Sequence, residues 1–97
     1  MSKILIIGGG FMGYSLSMAL AARADNPEIS IVEPNLNNKT LIQNKPTKFI
    51  LYDDLEKVGG DFDFVIICSP IKQIPKIILK AAEMFSSKTI ITDISSS

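Results

Sequence analysis

KILIIGGGFMG, Lys3–Gly13, is the stretch whose reading decides the fold. Four apolar residues, Ile4 to Ile7, run straight into Gly8, Gly9 and Gly10, and Gly13 follows three positions on. The pattern is G-x-G-x-x-G set directly behind a strand-like run. A helical pattern starts at once behind it, with Met12, Leu16, Ala19 and Leu20 on one face. Each glycine has its own task in a phosphate-binding turn. Gly8 lets the chain leave the strand in a tight bend, Gly10 keeps a Cβ out of the path of a pyrophosphate, and Gly13 lets the helix lie close on the strand. Free N–H groups at the positive end of the helix then face the phosphates. A glycine-rich turn by itself is also what a flexible loop looks like; the strand before and the helix after select the dinucleotide reading. Gly8, Gly10 and Gly13, with Phe11 and Met12 between them, are therefore candidate cofactor-binding residues.

Composition narrows the rest. With 97 residues and 46% hydrophobic content, the chain is one domain with material for a real core. Ten basic residues balance ten acidic ones and only Arg23 is an arginine, so nothing points to nucleic acid or an anionic surface. No apolar run approaches the ~20 residues that span a bilayer, so no membrane is expected. A single cysteine, Cys68, excludes an internal disulfide and fits a reducing, cytoplasmic setting. There is no histidine at all, so any proton transfer through an imidazole lies outside these residues.

Strands and helical segments alternate along the whole sequence. Strands are expected at Lys3–Ile7, Ile29–Glu33, Lys48–Tyr52, Phe64–Cys68 and Lys88–Ile94. Helices are expected over Phe11–Arg23 and Lys72–Phe85, with shorter pieces at Lys39–Gln43 and from an Asp53 or Asp54 cap to Lys57. In the later helix Ile74, Ile77, Ile78, Ala81 and Phe85 form the inner face, and Lys72, Lys76 and Lys80 a solvated stripe. Pro75 sits in its first turn, where a missing N–H costs little. The class is α/β, a Rossmann-type three-layer fold with a parallel sheet of about five strands in the order 3-2-1-4-5.

Two further places on that fold carry chemistry. Glu33 ends the second strand twenty residues after Gly13, where a carboxylate accepts hydrogen bonds from the adenine-side ribose hydroxyls. A carboxylate there repels a 2′-phosphate, so NAD is expected rather than NADP; Lys39 is the nearest cation. Cys68-Ser69-Pro70, at the carboxyl end of the fourth strand, is expected to line the nicotinamide half. Cys68 has no histidine to activate it and reads as a buried, inert thiol. Asp53 and Asp54 read first as caps or solvated acids, second as lining of the adenine pocket.

IIGGGFMG, the strand-two acid followed by Pro34, FVIICSPIKQIPKII and TIITDISSS together resemble the cofactor domain of prephenate and arogenate dehydrogenases. These are oxidative decarboxylases of tyrosine biosynthesis. The resemblance spans essentially the whole chain, and its more specific parts are P-x-K-x-I-P at Pro70–Pro75 and TD-x-x-S at Thr92–Ser96. It implies that Gly8, Gly10 and Gly13 hold the pyrophosphate of NAD, Glu33 the ribose, and Ser69 and Pro70 the nicotinamide side. Ser96 matches a serine that contacts substrate beside the nicotinamide, and is the one catalytic candidate. The family pattern continues with Val-Lys, a catalytic histidine and a helical domain that binds substrate and forms a homodimer. The sequence in hand has Ser97 instead, so it is expected to be the cofactor half, binding NAD without turning over prephenate or arogenate by itself.

A reading from a different class competes with this one. NAD-binding regulatory modules of channels and transporters share the turn and the strand-two acid and need no histidine. The Ser69-Pro70 turn, the Pro75-started helix and the serine-rich end of strand five favour the dehydrogenase.

Overall fold

The computed structural model describes residues 2–8, 10–43 and 49–94, with residue 11 by its backbone only. Five parallel strands form one sheet in the order β3-β2-β1-β4-β5, as the alternation in the sequence predicts. β1 (Lys3–Ile7) is central, flanked by β2 (Glu28–Val32) and β4 (Phe64–Ile67); β3 (Ile50–Tyr52) and β5 (Ile90–Asp93) are the edges. Ile4 is in register with Ile29 on one side and Phe64 on the other. The helices are α1 (Gly10–Ala21), α2 (Leu36–Gln43) and α3 (Ile74–Met84), with 3-10 turns at Leu55–Lys57 and Ile71–Gln73.

The continuous apolar run of β1 follows from its position, because a central parallel strand is covered on both faces. Leu5 and Ile7 point into a core with Val65, Ile67, Leu55, Ile74, Ala81 and Phe85, beneath α3. Ile4 and Ile6 point the other way, against Ile29, Ile31, Ile42 and Cys68, beneath α1 and α2. Complete burial of a side chain such as Leu5 or Ile6 contributes ~1.5–3 kcal/mol. Towards β5 the α1 side of the sheet thins out, and Phe64 and Ile90 remain 38% and 57% exposed.

The inner face of α1 differs from the expected one. Met12 is 40% exposed and Ala19 lies outside, while Gly13 and the fully buried Ser17 face the sheet. Tyr14, Leu16, Leu20 and Ala21 flank them. Small residues at the centre of the stripe bring the helix axis near the strand, and the Ser17 hydroxyl is satisfied by donating 2.8 Å to the Gly13 carbonyl. α3 keeps its expected inner face at Ile74, Ile77, Ala81 and Phe85, but Ile78 lies at its margin and is exposed. Lys80 leaves its solvated stripe to pair with Glu56 of the 3-10 turn.

Other differences sit at element ends. α1 closes at Ala21 and unwinds through Arg23 N–H to Leu20 O, 3.1 Å. α2 begins at Leu36 rather than Lys39, because the Asn35 side chain caps it by accepting from Asn38 N–H at 3.1 Å. Of the two expected caps it is Asp54 that caps the 3-10 turn, accepting from Glu56 N–H at 3.1 Å. β2 runs one residue earlier than expected, and β3, β4 and β5 are shorter; Lys48, the expected start of β3, lies outside the described residues. Among the described residues no helix is long and apolar enough to cross a membrane.

Candidate functional site

After β1 the chain passes into α1 on one face of the sheet; after β4 it passes into α3 on the other. The carboxyl ends of these neighbouring strands therefore part, and a cleft of about 460 Å³ opens where they do. Such a switch point is where ligands of open α/β sheets bind. Gly8 contributes from the first turn, Glu33 and Pro34 from behind β2, and Asp53 and Asp54 from behind β3. Ser69, Pro70 and Gln73 close the other side.

The turn requires glycine at three positions for three separate reasons. Gly8 has φ +70°, and its N–H donates to Val32 O at 2.8 Å. A Cβ on Gly8 would lie 2.7 Å from the Ser69 hydroxyl oxygen, so the two turns meet across the cleft floor. That hydroxyl donates to Ile7 O at 3.4 Å. A Cβ on Gly13 would collide with the Gly8 carbonyl oxygen, the close helix-on-strand approach that the motif predicts. Gly10 has φ +49°, and the nearest neighbour of an added Cβ is Asn38 Nδ2 at 3.4 Å. Its requirement is thus conformational, since a β-branched residue rarely adopts such a φ.

The contact between Gly8 and Ser69 gives a direct test. Gly8→Ala should cost ~2–3 kcal/mol, from the contact with the hydroxyl and from a left-handed backbone. Adding Ser69→Ala removes the oxygen and should recover at least ~1 kcal/mol of that in a denaturation cycle. Strict additivity of the two substitutions would contradict the contact.

Glu33 is 5% exposed and lies in the cleft wall. Its backbone N–H donates to Tyr52 O at 3.0 Å, which continues the ladder one residue past β2. Its Oε2 accepts from Asn35 N–H at 3.2 Å; an ionised carboxylate has about four acceptor sites and so can also receive a diol. Beyond it, the Lys39 ammonium is bonded to Asp53 Oδ1, and Lys57 Nζ lies 3.7 Å from Asp53 Oδ2. The hydrogen bond and charge of Lys39, helped by Lys57, hold the Asp53 carboxyl below its ordinary range.

Several candidates are placed elsewhere. Cys68 is directed away from the cleft into the core beneath α1; its N–H bonds Ile7 O at 2.9 Å. Burial pushes its thiol up, which keeps it protonated and unreactive near neutrality. Met12 points outward on α1. Ser96 and the Phe11 side chain lie outside the described residues. Gln73 lines the cleft without having been singled out in the sequence, and Ile77, expected only on the inner face of the later helix, lines it too. Gln73 ends the 3-10 turn that precedes α3 and Ile77 lies in the first turn of α3, one turn further on. No cluster of three or more metal-ligating side chains occurs among the described residues.

Comparison with known proteins fits this geometry. Residues 3–96 match the family described as NADP oxidoreductase, coenzyme F420-dependent. A glycerol-3-phosphate dehydrogenase [NAD(P)+] of Clostridium botulinum is 28% identical over 104 residues, covering 97% of this chain and 32% of that protein. S. aureus TarJ, solved in complex with NADPH, superposes with a TM-score of 0.78 at 16% identity, over 100% of this chain and 30% of that one. The ketopantoate reductase of Staphylococcus aureus gives 0.59 at 18% identity, over 97% and 33%. The chain thus spans about a third of the length of these relatives.

Proposed function

The chain belongs to the NADP oxidoreductase, coenzyme F420-dependent family, an NAD(P)-binding oxidoreductase type with a Rossmann fold, and from that premise we propose that it is the cofactor-holding part of an NAD-dependent dehydrogenase. The observation that carries this is the cleft that joins the Gly8 turn to the Glu33 carboxylate. The residues present fit a dinucleotide. The Gly8–Gly13 turn and the start of α1 receive the pyrophosphate, and Glu33 receives the ribose diol. Ser69 and Pro70 border the nicotinamide half. The nicotinamide would supply hydride transfer, and the chain would bind and orient it. Glu33 supports NAD over NADP because its carboxylate repels a 2′-phosphate.

Calorimetry with NADH, NADPH and ADP-ribose tests this. NADH and ADP-ribose should bind with similar affinity, and NADPH at least about tenfold more weakly, the size of one unfavourable charge interaction of ~1.4 kcal/mol. Tighter binding of NADPH would overturn the preference.

Within this class, the segments Ser69–Ile78 and Thr92–Ser96 support a prephenate or arogenate dehydrogenase, whereas the relatives named above carry other substrates in their names. Prephenate, arogenate, glycerol 3-phosphate and ketopantoate can be offered in turn to the NADH-loaded chain. Because the family's substrate-binding helical domain lies outside these residues, prephenate or arogenate should quench nicotinamide fluorescence only weakly; strong quenching by glycerol 3-phosphate alone would exclude the reading. With no histidine to take the hydroxyl proton, we expect no NADH from prephenate and NAD. A family of oxidoreductases also favours the enzyme over a regulatory module of a channel or transporter.

A further inference from the structure

The cation expected nearest the ribose end of the cleft is already occupied. Between Glu33 and the end of α2, Lys39 is the one basic residue, and it is the group a 2′-phosphate would look for. Its side chain is only 18% exposed, and its ammonium is engaged by Asp53 Oδ1. Asp53 stands in the cleft wall together with Glu33 and Asp54, and Lys57 supports it from the far side at 3.7 Å.

We propose that Asp53 is a specificity-determining residue of the cofactor site: by holding Lys39, its carboxylate denies a ribose 2′-phosphate its counter-ion and so excludes phosphorylated dinucleotides. The inference rests on the dinucleotide reading given above. It adds a second device to the repulsion by Glu33. A 2′-phosphate brings ~1.5–2 negative charges. On this edge of the cleft it meets the carboxylates of Glu33, Asp53 and Asp54, while the cation beside them is neutralised. A ribose diol brings no charge and is indifferent to that pairing. The carboxyl of Asp53 stays ionised through the neutral range, since both lysines favour its charged form. The arrangement also suggests how selectivity could be reversed. Asparagine at 53 keeps the shape and an oxygen acceptor for Lys39 but leaves the ammonium uncompensated.

Calorimetric titration of NADH and NADPH against the chain and its Asp53→Asn variant provides the test. The variant should bind NADPH about tenfold more tightly, with NADH changed by less than about threefold, as expected for one uncovered charge. Lys39→Met in the Asp53→Asn background should return NADPH to its starting affinity. Asp61→Asn makes the same change in net charge at a separate cleft, lined by Lys3, Phe62 and Thr89, and should leave both affinities alone. Equal gains for both nucleotides, no gain for NADPH, or a gain that survives loss of Lys39 would each overturn the proposal. If the unsubstituted chain binds no NADH, the cofactor reading falls first and this inference with it. NADH binding with an unmoved NADPH ratio defeats the inference alone.

Discussion

Replacing Gly13 by valine should remove a large share of the molecule's margin of stability. The added Cβ would fall on the Gly8 carbonyl oxygen, and both atoms belong to positions that side-chain rotation cannot relieve. α1 must lift from β1 and the turn must move with it, opening a gap beside Ile6, whose Cγ2 lies 3.5 Å from the same point. Overpacking of this kind costs at least ~3 kcal/mol, against a total of about 5–15 kcal/mol for a domain of this type. With an m-value near 1–1.5 kcal/mol/M, the urea midpoint should fall by ~2–3 M. Gly13→Ala already carries the offending atom and should show most of the loss. A midpoint for the alanine variant within about 0.5 M of the starting protein would mean that helix and strand are further apart than described.

Gly10→Val should act on binding more than on folding. The added atom has room, with Asn38 Nδ2 as its nearest neighbour at 3.4 Å, so no backbone clash drives unfolding. The φ of +49° is the difficulty. Valine there stores ~1–3 kcal/mol of strain, which the turn relieves by rotating the N–H groups at the start of α1. In the proposed pose those groups bind the phosphates, and NADH affinity should drop at least about 100-fold, or ~2.8 kcal/mol. The melting midpoint should move by less than for Gly13→Val. Affinity within about threefold of the starting value would remove the helix start from the binding site.

The strand order was legible because the rules behind it are local. Apolar runs separated by helical text, joined by right-handed crossovers, leave few ways to build a parallel sheet. The place of Glu33 in the cleft wall was legible for a similar reason: its distance along the chain from Gly13 is fixed by one βαβ unit. The approach of Gly13 to β1 was legible from the motif, but the rest of the inner face of α1 was not, since hydrophobicity ranks Met12 and Ala19 above Ser17, whereas close approach to a strand favours small residues. Cys68 was assigned to the rim because it adjoins Ser69, but neighbours in an extended segment point to opposite faces. Contacts such as Ser69 with Gly8, or Lys39 with Asp53, depend on which strand ends stand side by side, and no spacing in one sequence encodes them.

The position of β1 at the middle of the sheet also constrains the order of synthesis. Ile4 is made first, yet its partner Phe64 emerges sixty residues later. At ~5–20 residues per second, a nascent chain carries the strand Lys3–Ile7 for roughly 3–12 s with one edge unpaired. During that interval the chain can form only β1-β2-β3, with Leu5 and Ile7 uncovered on the side where α3 will pack. The most buried segment of the finished molecule is therefore the one that a ribosome-bound chaperone has longest to grip, and slowing translation before Phe64 should raise aggregation more than slowing it after Met84.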